Sequence, residues 1–180
     1  MAKHTISISL SEKSIQNAIK ELESYNSSLI NKCETFVRKL AEKGIETAKT
    51  RTGNYGKYIT FTIKTNKDEY GVSAVLLATN TGIIRSEWLT KDGVKTADVS
   101  PLLMVEFGSG LRAKNPKNVP GVGTGTFPGG THGSNPNGWW YKDLDSVWHH
   151  STGVSPQAPV YNASLRMMSD IQTVAREVFG

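Results

Sequence analysis

Cysteine is nearly absent: Cys33 stands alone in 180 residues, so no internal disulfide can form. It falls on the apolar face of a helical pattern, where a small buried hydrophobe is the expected role. The N-terminus shows no apolar h-region, and no stretch approaches transmembrane length. Neither a signal peptide nor a membrane role is expected, and the reading is of a chain made in a reducing cytoplasm. Basic runs are also missing. Net charge is +5 and the pI about 9.3, but Lys and Arg are scattered and never run to five, which argues against nucleic-acid binding as the main role. There is no H-E-x-x-H and no G-x-S-x-G. Gly121-x-Gly123 has no strand before it and no helix after it, so it is not read as a phosphate loop. No internal repeat is visible.

Against these absences, one stretch is crowded. Pro128 to Ala163 holds Trp139, Trp140 and Trp148, and also His132, His149 and His150. Ten of the 17 Gly lie between Gly108 and Gly153. The chain is read as one domain over 1–180, with a core of about 5–108 and 159–180 and a Gly/Pro/Trp-rich insertion of about 109–158. Within the insertion, Gly-Trp-Trp-Tyr and Val-Trp-His-His flank a polar turn, Lys142 to Ser146, as two short strands. A two-stranded ribbon alone is marginal in water, so this one needs a surface to lie on.

The remaining pattern predicts an α+β fold: an antiparallel sheet packed against a long N-terminal helix and a C-terminal helix. Thr5 to Leu10 alternates as a half-buried strand. Ser11 then reads as an N-cap, with Leu10 and Ile15 as a hydrophobic staple. Ile15, Ala18, Ile19, Leu22, Tyr25, Leu29, Cys33, Phe36, Val37, Leu40, Ile45 and Ala48 follow at helical spacing. Unbroken from Ser11 to Ala48, that helix is about 57 Å long at 1.5 Å per residue. So long a stripe implies a sheet or another subunit along it. Asn26-Ser27-Ser28 marks a candidate bend. Lys57–Thr65 and Tyr70–Ala78 read as a hairpin turning at Asn66 to Glu69, and Thr81–Thr90 as a further strand. Ser100-Pro101 starts a short helix that Gly108 stops. A last helix from about Val160 to Phe179 turns Met167, Met168, Ile171, Val174, Ala175 and Val178 inward.

His132, His149, His150, Asp143 and Asp145 are the only cluster of metal-ligand types. Adjacent His149 and His150 point to opposite faces of a strand, so polar tips on an aromatic hairpin are the simpler reading. No acid–base pair assembles: Glu106 and Glu87 have no reason to meet. No catalysis, cofactor or metal is expected.

Val105-Glu106-Phe107-Gly108-Ser109-Gly110 resembles the V-E-F-G-T-G motif of tailed-phage tail-component proteins, the head-to-tail joining or tail-completion family, with Ser109 in place of the usual Thr. That family's order of long helix, hairpin, motif helix, variable insertion and C-terminal helix is matched from about Ile6 to Phe179. The segment Gly130 to Gly153 also resembles an insertion found in prophage members. The resemblance implies a virion protein of the tail or neck, made in the host bacterial cytoplasm. It implies a homo-oligomeric ring, with six copies suggested, and head-completion or adaptor proteins and tail-tube or tail-terminator proteins as partners. Trp139, Trp140, Tyr141 and Trp148 are the candidate interface. Two alternatives stand beside it: a cell-wall or carbohydrate-binding aromatic hairpin, and a neck component that contacts DNA.

Overall fold

A computed structural model describes residues 5–68, 71–113, 137–142 and 145–180. The fold is mixed α and β, and every strand pairing in it is antiparallel. Helix α1 runs Glu12–Thr50 without interruption, so Asn26-Ser27-Ser28 does not break it. Three poor helix formers together cost about 1 to 2 kcal/mol, which is small beside the cooperativity of a helix this long. Ser11 caps it, its Oγ accepting from the Ser14 N–H. Leu10 is fully exposed, so the expected staple with Ile15 is not made.

Strands β1 (Ile59–Asp68) and β2 (Gly71–Asn80) form a two-stranded sheet. Ile59, Phe61 and Ile63 alternate inward as the sequence suggests. Asn66, Lys67 and Asp68, expected in the turn, instead extend β1 and pair with β2, while Glu69 and Tyr70 lie outside the described residues. Strands β3 (Ile84–Thr90) and β4 (Gly93–Val99) form a second hairpin around Lys91-Asp92; β4 was not expected from the sequence. The aromatic ribbon supplies β5 (Trp139–Lys142) and β6 (Trp148–Ser151), giving a four-stranded sheet in the order β4-β3-β5-β6. The single sheet expected from the sequence is therefore two sheets. Thr5 to Leu10 joins neither of them and forms no strand; it pairs with none of the described strands.

Helix α2 (Pro101–Phe107) begins as predicted, with Ser100 Oγ accepting from the Leu103 N–H and Pro101 in the first turn. Helix α3 (Pro159–Phe179) lies antiparallel to the second half of α1. Phe36 meets Phe179 at 5.7 Å between rings, and Lys39 pairs with Glu177 at 3.4 Å. Further along, Gly44 faces both Met167 of α3 and Leu76 of β2. A Cβ built on Gly44 lies 3.0 Å from each of these side chains, so the absent side chain is what lets helix and hairpin approach. Ala41 and Ala48 of α1 and Ala163 and Val174 of α3 are buried as well. The inner face expected of α3 holds for Val174 and half-holds for Met167 and Val178. Met168 and Ile171 instead face water: α3 packs chiefly on α1, touches α2 near its start, and turns its other side outward.

Candidate functional site

The motif Val105 to Gly110 sits where α2 ends, at the centre of a clasp. Val105 is 1% exposed, and its carbonyl accepts from the N–H groups of both Gln157 and Ala158. Glu106 is buried at the start of α3. Its two carboxylate oxygens accept from the N–H groups of Val160 (2.8 Å) and Tyr161 (3.0 Å). Helix starts leave such N–H groups without intrahelical partners and favour negative charge. Ala158, the residue before Pro159, has no side chain that can cap. Glu106 therefore supplies from a distance the cap that α3 lacks locally. Burial pushes the Glu106 carboxyl above its ordinary range, while the two N–H donors partly pull it back.

Beyond Glu106, Ser109 and Leu111 run beside residues 152–154. The Ser109 N–H donates to Val154 O, Val154 N–H donates to Ser109 Oγ, and Leu111 N–H donates to Thr152 O. Gly110 has φ +59, and a Cβ there would overlap the ring of Trp139. Trp139 thus packs its ring edge against a backbone that only glycine permits. The motif joins both feet of the insertion to the two helices. The sequence carried one signal for this: a helix that opens Ala-Pro with no capping side chain must find its acceptor elsewhere.

Trp139, Trp140, Tyr141 and Trp148 are placed by pairing register. Trp139 and Tyr141 share the inner face with Trp88, since Trp88 pairs with Tyr141. Trp88 is buried, and Tyr141 lies beside Tyr55. Burial, and secondarily Tyr141, push the Tyr55 hydroxyl up. Trp140 pairs with His150, and Lys142 with Trp148, so Trp140, Lys142, Trp148 and His150 share the outer face. There Trp140 is 51% exposed and Trp148 39%. Leu89 and Val94, paired across β3 and β4, extend this exposed surface. Lys142 reaches Glu87 at 3.8 Å. Glu87 and Glu106 are accordingly in different places and form no pair.

His149 and His150 point to opposite faces and meet aromatic partners, Tyr141 at 5.6 Å and Trp140 at 5.3 Å. His150 Nε2 also lies 2.7 Å from Asn137 O. Asp145 is exposed; His132 and Asp143 lie outside the described residues. Among the described residues no three His, Cys, Asp or Glu gather as metal ligands. No described helix is long and apolar enough to cross a membrane. Cys33 is half-buried on α1 rather than in the deep core.

A second exposed surface lies on α1. Ile15, Ile19, Leu22, Tyr25 and Leu29 continue the face that meets α3 further along, yet they are 40–55% exposed. No known family model, curated protein or solved structure matches this chain.

Proposed function

We propose that the protein is a structural subunit of the tail or neck of a tailed phage or prophage, joining head to tail as one member of a ring. The observation that carries this reading is the exposed stripe from Ile15 to Leu29. Large apolar side chains repeated along one helix face mark a surface made to be covered. A patch on one subunit that meets a different patch on the next generates a closed ring. The motif Val105 to Gly110 and the order of elements supply the phage context, through their resemblance to tail-completion proteins. Head-completion or adaptor proteins and tail-tube or tail-terminator proteins are the partners of that context. The reading assigns no catalysis and no cofactor.

The test is reconstitution. Purified protein is mixed with tails that lack it, and the tails are imaged and their subunits counted. Ring incorporation at one end of the tail is expected. A protein that neither self-associates nor enters tails sinks the proposal. A second reading rests on Trp140 and Trp148, which share one exposed sheet face as sugar-stacking aromatics do. Retention on a cell-wall glycan array, lost in Trp140→Ala, favours that reading instead.

A further inference from the structure

Residues 5–10 have the sequence of a strand and pair with no strand among the described residues. Thr5-Ile6-Ser7-Ile8-Ser9-Leu10 alternates strictly and carries no charge. Ile6 shares a shallow cleft with Asn17, Ala18 and Glu21 of α1, while Ile8 and Leu10 face water. The first half of α1 adds its uncovered stripe, so one end of the molecule is an apolar arm.

The same chain offers a matching edge. In the two-stranded sheet, the side of β2 away from β1 pairs with no strand among the described residues. Exposed edges are ordinarily blunted by charge, brevity or proline. β1 carries Lys64, Lys67 and Asp68, β4 carries Lys95 and Asp98, and β6 has four residues. β2 has ten residues and no charge, and its Val75 is exposed. Among the described strands it is the uncharged edge, contacted by α1 and, near Asn80, by α2.

The arm does not reach the β2 of its own chain. Leu76 of β2 lies against Gly44 of α1. Ser11 is about 50 Å from Gly44 along the helix at 1.5 Å per residue. Residues 5–10, fully extended, span about 20 Å, and half of β2 adds about 17 Å. A gap of roughly 10 Å or more remains, so the pairing must be made between chains.

We infer that residues 5–29 form an arm that binds a second copy of this chain, with Thr5 to Leu10 adding as a strand to the free edge of that copy's β2. Main-chain hydrogen bonds supply the contact, and the alternating Ile and Leu side chains set its register. Tail and edge are different patches, so the contact is heterologous and propagates around a ring. The inference rests on the ring reading above and names its contact surface.

Two singly labelled chains test it. Cys33→Ser,Ile8→Cys is mixed with Cys33→Ser,Val75→Cys and oxidised gently, in concentrated solution and in reconstituted tails. A disulfide between the two different chains, identified by mass spectrometry, is expected. A second variant, Ile8→Asp,Leu10→Asp, is expected to keep the wild-type melting curve and to sediment as a monomer where the wild type associates. Absence of the cross-link in both settings overturns the inference, as does unchanged association of the double Asp variant. If that variant loses tail incorporation while no cross-link forms, another neck protein occupies the arm and the second copy is ruled out. Cross-linking in solution without entry into tails sinks the tail reading and leaves the arm standing. Entry into tails without cross-linking does the reverse.

Discussion

Between Phe36 and its end, α1 turns Ala41, Gly44 and Ala48 to α3 and the hairpin, and all three are buried. Between its start and Leu29 it turns Ile15, Ile19, Leu22, Tyr25 and Leu29 along the same face, and all five are left in water. The second half, where these small residues stand among Phe36, Val37, Leu40 and Ile45, is covered; in the first half only Ala18 is buried. Small residues let backbones approach, and close approach by itself gives dense packing. Large ones contribute only when something lies over them. Each half-exposed side chain leaves about 1 kcal/mol of burial unrealised. The aromatic ribbon repeats the contrast across its thickness, with Trp139 over Gly110 on one face and Trp140 in water on the other. Long amphipathic patterns therefore report that a face is to be covered, but not by which chain.

The largest effect is expected where the clasp holds α3 against the covered half of α1. Glu106→Ala strands the Val160 and Tyr161 N–H groups, and a buried unsatisfied donor costs about 1–3 kcal/mol. A loss of about 3 kcal/mol or more in denaturant unfolding is expected. A loss under about 1 kcal/mol breaks the assignment of Glu106 as the cap of α3.

Next, Gly44→Val is set against Leu22→Ser, one in each half of the helix. Gly44→Val crowds Leu76 and Met167 and is expected to cost about 2 kcal/mol. Leu22→Ser is expected to leave monomer stability within about 0.5 kcal/mol while weakening association. Equal destabilisation by the two would erase the comparison between the halves.

Trp139→Ala and Trp140→Ala sharpen it for the ribbon. Trp139→Ala removes the ring over Gly110 and is expected to cost about 2 kcal/mol, less than a fully buried Trp because this one is half-buried. Trp140→Ala is expected to melt like the wild type and to lose assembly or ligand binding. If both melt early and the folded fraction assembles normally, the ribbon is only a structural clasp.

The smallest effect concerns pH. The folded Glu106 carboxyl is raised above 4.5, so the folded chain holds that proton more tightly than the unfolded one. Its contribution to stability is full below the unfolded value. That contribution is lost as pH rises from there through the folded value. In melting curves taken across that window, Glu106→Gln is expected to show a smaller fall than the wild type, other carboxylates cancelling in the difference. A steeper fall in the variant reverses the sign and breaks the account.

Local patterns alone determined most of the elements. The spacing of apolar residues defined α1 and α3, alternation defined β1, the apolar run after the polar turn read as its returning partner β2, and Ser100-Pro101 with Gly108 bracketed α2. Alternation in Trp139-Trp140-Tyr141 assigns the two faces of the ribbon, because a strand's side-chain period is two whatever it pairs with. Only the tertiary structure decided what each face meets. Thr5 to Leu10 alternates as well as β1 does but pairs with no strand among the described residues, because the helix after it carries it out of reach of the hairpin. Glu106 reads locally as a polar residue near a helix end, and becomes a cap only when α3 arrives 53 residues later. Periodicity is a property of neighbours along the chain. Coverage and capping are set by groups far apart in sequence, whose meeting depends on loop closure and packing that no local pattern encodes.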